Sequence, residues 1–316
     1  MTPEAPHIPV LLEPILTHLL PAERVIDGTA GAGGHSAALL AGGAGALLAF
    51  DLDPTAIALA SARLAPFGDR ARVIHDSYQT MRAHAAASGW ADGVDAILLD
   101  LGVSSMQFDT AERGFSFRAD APLDMRFDPT RATPTAADLV NTLDADELAD
   151  ILYQYGEEHD SRRIARALIA ARPIETTGAL AAVVERAVPR PPKGHAIHPA
   201  TRTFQALRIA VNDELRVIER ALPEAIDLLR PGGRIAVISF HSLEDRLVKE
   251  ALRFAATDCI CPPRVPVCVC GHVASLSRIT RKPIVADAEE IAHNARSRSA
   301  KLRIGWKKQA YAEPKT

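Results

Sequence analysis

At 316 residues the chain can bury one large core carrying an insertion, or form two domains. Its 47% apolar and 24% charged residues are those of a globular protein, no apolar run approaches the roughly 18 residues of a membrane span, and the N-terminus lacks a basic-then-apolar signal pattern. The expectation is a cytoplasmic protein with no membrane partner. The net charge of −3 excludes wholesale coating of nucleic acid and confines such a partner to local patches. In chain order, apolar runs predict strands near 24–27, 46–51, 71–75 and 94–100, with helices around 34–42, 54–64 and 80–88 between them. That alternation implies a parallel sheet wrapped by helices.

After residue 100 the rhythm changes. Segments rich in Asp, Pro and Arg precede helical stretches at 145–155 and 162–171, and no convincing strand is present up to about 205. A long helix over about 204–229, stopped by Pro231-Gly232-Gly233, leads to a strand at 233–239, a helix at 242–255 and a last strand at 302–306. The expected organisation is one α/β domain from 1–105 and 206–316, interrupted by a helical substrate-recognition domain at 106–205.

The most informative stretch is VIDGTAGAGGH (25–35), where a short β run ends in Asp27 and turns through Gly28, Gly31, Gly33 and Gly34 into a helical pattern. About 20 residues later a second strand ends in Asp51. Glycines let a backbone approach a ligand, a helix N-terminus offers N–H groups, and a carboxylate on the next strand suits a ribose diol. The nicotinamide fingerprint needs a third glycine where this chain has Ser36. Read from Asp27, the string D-G-T-A-G-A-G is close to the acidic-x-G-x-G-x-G loop of S-adenosylmethionine-dependent methyltransferases, with Thr29 at the first glycine. An anion at Asp27 would help orient a cationic amino-acid end and repel a pyrophosphate. The plain alternative is a strand-to-helix turn whose glycines serve geometry alone.

In an open α/β sheet the ligand lies beyond the carboxyl ends of the strands. Those ends carry Asp27, Asp51, LLDLGVSSMQ (98–107) and SFHSLEDR (239–246). Together with HIPVLL (7–12), DGTAGAGGHS (27–36), ERGFSF (112–117), PLDMR (122–126) and HPATRTFQALRI (198–209), these strings closely resemble the RsmH (MraW) family along nearly the whole chain. The resemblance implies a Rossmann-like methyltransferase sheet with an inserted helical domain. It also implies S-adenosyl-L-methionine as methyl donor and, as substrate, the N4 amine of a cytidine in the decoding region of small-subunit ribosomal RNA, within the 30S particle. A homodimer is left open. Gly33, Gly34 and His35 match the family's cofactor loop, Asp51 its ribose carboxylate, Tyr78 its adenine-side aromatic, and Asp100 and Gln107 further cofactor contacts.

An exocyclic amine is a weak nucleophile because its lone pair delocalises into the ring. It needs acceptors on its N–H bonds and a methyl carbon held near 3–3.5 Å. Many amino-methyltransferases use an Asp/Asn-Pro-Pro-aromatic turn; here the acid is present as Asp100, and the prolines and aromatic are not. Asp100 is the candidate acceptor. Ser104, Ser105 and His241 are weaker candidates to grip the base, with Phe115 or Phe117 to stack on it. For His241 a hydrogen-bonded structural role is the favoured reading, ahead of a proton acceptor. The rivals are a DNA amino-methyltransferase, a non-catalytic ribosome-assembly factor and a nicotinamide oxidoreductase on the same fold.

Two basic blocks offer phosphate contacts. Arg186, Arg190, Lys193, Arg202 and Arg208, with His195 and His198, occur without an acid between 186 and 208. Between 278 and 308, nine basic residues face three acids. The four cysteines, Cys259, Cys261, Cys268 and Cys270, fall in a 12-residue window. They suit tetrahedral zinc, although C-x-C pairs are less usual than C-x₂-C. A cytoplasmic location disfavours stable disulfides. The family resemblance requires no metal, so zinc ligation, unligated thiols and redox chemistry all stay open.

Overall fold

The computed structural model describes residues 9–188, 198–264 and 267–309. It divides into two compact units, residues 1–102 with 215–316, and residues 103–214.

The first unit is built on a sheet in which β1 (Arg24–Asp27), β2 (Ala46–Asp51), β3 (Ala71–His75), β4 (Val94–Asp100), β5 (Leu229–Ser239), β6 (Leu276–Ile279) and β7 (Lys301–Lys307) take the order 3-2-1-4-5-7-6. The first five strands are parallel, whereas β7 runs antiparallel to both β5 and β6. Successive residues of the central strands feed opposite faces. Val25, Leu47, Ala49, Ala96, Leu98, Ala236 and Ile238 pack on one side, with α1 (Leu12–Leu19), α2 (Gly34–Ala41) and α3 (Pro54–Leu64). Ile26, Leu48, Phe50, Ile97, Leu99, Ile235 and Val237 pack on the other, with α4 (Met81–Ala87), α11 (Glu214–Leu228) and α12 (Ser242–Ala255). Both faces are covered, which is why the strands read as continuous apolar runs. Because β1 lies between β2 and β4, the chain reverses its winding direction there and a crevice opens beyond the carboxyl ends of β1 and β4.

The second unit is helical: α5 (Ser105–Asp109), α6 (Ala136–Thr142), α7 (Ala145–Gly156), α8 (Ser161–Ala170), α9 (Thr177–Ala187) and α10 (Thr201–Asn212). Its core includes Leu148, Leu152, Ile164, Leu168, Leu180, Val184, Phe204 and Leu207. Its only β pairing among the described residues is an isolated bridge between Pro122 and Thr176.

Three expectations are corrected. The single helix over 204–229 is two helices, α10 and α11, separated at Asp213, which takes the left-handed conformation at φ 50°. The insertion therefore runs to 214 rather than 205, because α10 contributes Phe204, Ala206 and Leu207 to the helical core. Pro231-Gly232-Gly233 does not stop a helix. The helix has already ended at Leu228, and these residues form an irregularity in β5, where register jumps between the Val94 and Ala96 pairings.

Candidate active site

The loop after β1 is stitched down by its own side chains. Asp27 is buried at 1% exposure. Its Oδ2 accepts from Ser36 Oγ at 2.6 Å and its Oδ1 from the Thr29 amide at 3.2 Å. Ser36 thus replaces the third glycine of the dinucleotide fingerprint with a hydroxyl that fastens α2 to the end of β1. Thr29, at the first glycine position, accepts from the Asp100 amide at 2.6 Å and ties the loop to β4. Asp27 consequently spends both its oxygens on the loop and on α2.

Gly33 caps α2 at φ 76°, where a Cβ would stand 3.2 Å from the Ala60 backbone. At Gly34 a Cβ would meet Pro9 at 2.7 Å. Both glycines are thereby explained by close packing. Gly31, at φ 52°, has nothing within 4 Å of its missing side chain and lines open space. Asp51 sits beside it, accepting from the Gly31 amide at 2.8 Å and the Asp53 amide at 2.9 Å. Asp53 in turn caps α3 through Thr55 N. Tyr78 opens the turn after β3, and its Cβ lies 2.9 Å from where a Gly28 side chain would start. The structure therefore gathers Gly31, Asp51, Tyr78 and Asp100 around one loop.

His35 is buried, with Nε2 2.9 Å from Val10 O. A carbonyl only accepts, so Nε2 carries the proton, and Nδ1 presents its lone pair toward Asp100 Oδ2 at 3.8 Å. Burial lowers the His35 pKa to about 4, so the ring is neutral and supplies no countercharge. Asp100 is raised to about 8, first by burial, then by the charges of Asp27 and Glu244. Its side chain is 23% exposed, yet Oδ1 is buried without a hydrogen-bond partner. Burial likewise raises Asp27 and Asp51 to about 6.

Glu244, which sequence reasoning passed over, is the further acid whose charge acts on Asp100. It is fully buried and accepts from the amides of Phe240 at 2.8 Å and His241 at 3.3 Å. His241 caps α12, its Nδ1 taking the Glu244 amide, while Nε2 lies 3.1 Å from Glu244 Oε1. The imidazole is thus engaged at the helix start.

Ser104, Ser105 and Gln107 belong to the helical unit. Ser104 caps α5, and the carboxamide oxygen of Gln107 accepts from the Ser104 amide at 3.0 Å, a reciprocal capping box. Ser105 and Gln107 are buried. Of the two proposed stacking aromatics, Phe115 is a core residue packed on Phe127, with ring centroids 5.8 Å apart. Phe117 is packed between Phe204 and His198, so neither presents a bare face.

The basic blocks are also partly consumed. Arg208 makes a two-pronged pair with Glu214 at 2.8 and 3.0 Å, and His198 pairs with Glu185. Arg190, Lys193 and His195 lie outside the described residues. Arg303 is buried on Asp245, Arg278 covers the Trp306 ring at 4.0 Å, and Lys308 pairs with Asp258. Arg281, Lys282, Arg296 and Arg298 are exposed. Only Arg296 and Arg298 immediately precede Lys301, which pairs with Ser239 at the carboxyl end of β5.

A donor carrying a sulfonium and an ammonium fits this crevice on two observations: an orphaned buried carboxylate oxygen at Asp100, and a surround of buried acids with a neutral His35. Strand order and loop are those of a Rossmann-like methyltransferase, and the family to which the chain belongs takes S-adenosyl-L-methionine as its methyl donor. The MraW methylase family profile matches residues 4–308, and the chain belongs to that family. It is 52% identical to the ribosomal RNA small subunit methyltransferase H of Nitratidesulfovibrio vulgaris (strain DSM 19637 / Miyazaki F), over 94% of this chain and 84% of that one. The protein of the same name from Oleidesulfovibrio alaskensis is also 52% identical, over 94% of each chain. That of Heliobacterium modesticaldum is 49% identical over 95% of this chain and 98% of its own.

The raised pKa of Asp100 has a signed consequence. Between the unfolded carboxyl value of about 3.9 and the folded value of about 8, the native state holds a proton that the unfolded chain has released, so stability falls as pH rises through this window. Urea denaturation across that range should show Asp100→Asn gaining on the wild type with rising pH and levelling off above about pH 8. A difference that stays constant with pH would contradict the assignment.

Proposed function

We propose that this enzyme methylates the exocyclic N4 amine of a cytidine in the decoding region of small-subunit ribosomal RNA, in the cytoplasm and on the 30S particle. The observation that carries the reading is the 49–52% identity, over 94–95% of the chain, to proteins named ribosomal RNA small subunit methyltransferase H. No described helix is long and apolar enough to cross a membrane.

When bound, S-adenosyl-L-methionine supplies a methyl group on a sulfonium, electrophilic without further activation. Asp51, fixed by two backbone amides, would take the ribose hydroxyls on its remaining lone pairs, each charge-assisted bond being worth about 1.5–3 kcal/mol. Tyr78 would cover the adenine. The exposed part of the Asp100 carboxyl would accept an N–H of the target amine and draw the nitrogen lone pair out of the pyrimidine. Without a donor this carboxyl, raised to about 8, is protonated near neutral pH; the donor's positive charge would favour its ionised form, which could then take the amine's departing proton. The carboxylates Asp27, Asp51, Asp100 and Glu244 favour a cationic donor and disfavour the pyrophosphate of a nicotinamide dinucleotide. The target base must leave its stack unless the RNA already presents it unpaired. Exposed Arg296 and Arg298 would hold flanking phosphates at the same end of the sheet.

The test is methyl transfer to 30S particles lacking the modification, with the product nucleoside identified by mass spectrometry. The wild type should yield N4-methylcytidine and leave duplex DNA unmodified, and Asp100→Ala should abolish turnover. Rates within about threefold of wild type, roughly 0.7 kcal/mol, would remove Asp100 from the chemistry. Methylation of duplex DNA, or of no substrate at all, would instead support the rival DNA methyltransferase or assembly-factor reading.

Activity on the particle should fall steeply with salt while donor binding barely changes. Replacing Arg296 and Arg298 by Gln should flatten the log–log salt dependence of particle binding by about one per lost phosphate contact. An unchanged slope would place the RNA elsewhere.

A further inference from the structure

The segment between α12 and β6 carries the four cysteines, and its described residues do not build a core of their own. Ile260, Val267, Val269 and Val273 are 47–79% exposed. What the segment does gather is sulfur. All four Sγ atoms lie within 4.8 Å of one another. Cys268 is 3.5 Å from Cys259, 3.5 Å from Cys270 and 4.0 Å from Cys261, and Cys270 is 3.9 Å from Cys259.

A tetrahedron of sulfurs at the usual zinc–sulfur length of about 2.3 Å has edges of about 3.8 Å, and the observed separations straddle that value. Paired disulfides would instead bring two partners to about 2.0 Å. Here Cys268 stands equally close to Cys259 and Cys270, so no pairing is singled out. A backbone amide also aims at sulfur: Val269 N donates to Cys261 Sγ at 3.4 Å. Such an amide supplies the kind of outer-shell hydrogen bond that a metal-bound thiolate needs.

We propose that Cys259, Cys261, Cys268 and Cys270 bind one Zn(II) ion in a closed, structural site. Four thiolates complete the coordination and leave no open position for a substrate. Soft sulfur donors select zinc over calcium or magnesium. Binding releases the thiol protons and gives the 256–275 segment the cross-link that its exposed side chains do not provide. The site lies away from the crevice. α12 starts next to the carboxyl end of β5 and runs toward its amino end, where Ser275 N donates to Ala255 O and Leu276 pairs with Lys307. The ion therefore braces the far end of the sheet and takes no part in methyl transfer.

The test uses the full-length protein, expressed with added zinc and purified without chelator. Plasma emission spectrometry should find close to one zinc per chain, and Cys268→Ser should lose about nine-tenths of it or more. Chelation of the wild type should open the 256–275 segment to limited proteolysis, and zinc chloride should close it again. Cys268→Ser should still bind S-adenosylhomocysteine within about twofold of wild type, which shows that the sheet is intact. Wild-type protein that carries no zinc, takes none up from zinc chloride and has four thiols titratable by Ellman's reagent would overturn the proposal. Two disulfides by mass spectrometry, or iron in place of zinc, would overturn it as well.

Discussion

The structure turns on a carboxylate that is expensive to ionise. Asp100 ends β4 at the point where the sheet reverses its winding, one oxygen buried and unbonded, with Asp27 and Glu244 close enough to repel its charge. The imidazole of His35 beside it is neutral. An arrangement of this kind is costly when empty and is relieved by a cation, so the fold stores a preference for a positively charged ligand where its strands end. The remainder of the α/β unit can be understood as holding that carboxylate still. Two packed faces fix β1 and β4, and Thr29 bonds the Asp100 amide itself.

The polar residues around the crevice divide their labour. Asp27 and Ser36 spend their hydrogen-bonding capacity on one another, Gly33 and Gly34 serve close packing, and His241 with Glu244 closes the start of α12. Gly31, Asp51 and Asp100 remain at the crevice, with Tyr78 partly buried against the core beside them. Several residues of a motif are thus explained by the loop's own construction before any ligand is considered. A loop preorganised in this way loses little freedom when a donor binds.

Most of the α/β unit was legible in the amino-acid sequence because its strands are buried on both faces and read as continuous apolar runs. The first four strands fall where the pattern puts them. The break between α10 and α11 was not legible, since it depends on Asp213 adopting a left-handed conformation inside an uninterrupted helical pattern. β6 was missed because only Leu276 of its four residues is buried. Charge counting also overstated the basic surface: Arg208 and Arg303 are used in ion pairs with Glu214 and Asp245, acids distant enough in sequence or context to escape a local count. In the site, the loop and Asp51 were visible as a pattern. Glu244 was not, because a helix-start acid looks like ordinary capping until its neighbours are known.

The central claim is that the crevice at the ends of β1, β2 and β4 binds S-adenosyl-L-methionine through Asp51 and Asp100. Isothermal titration calorimetry of the wild type and of Asp51→Asn with this donor tests it most directly. The account predicts one donor per chain for the wild type and a loss of about tenfold or more in affinity, at least about 1.4 kcal/mol, for the variant. Equal affinity in the two proteins, or no heat in the wild type, would contradict it.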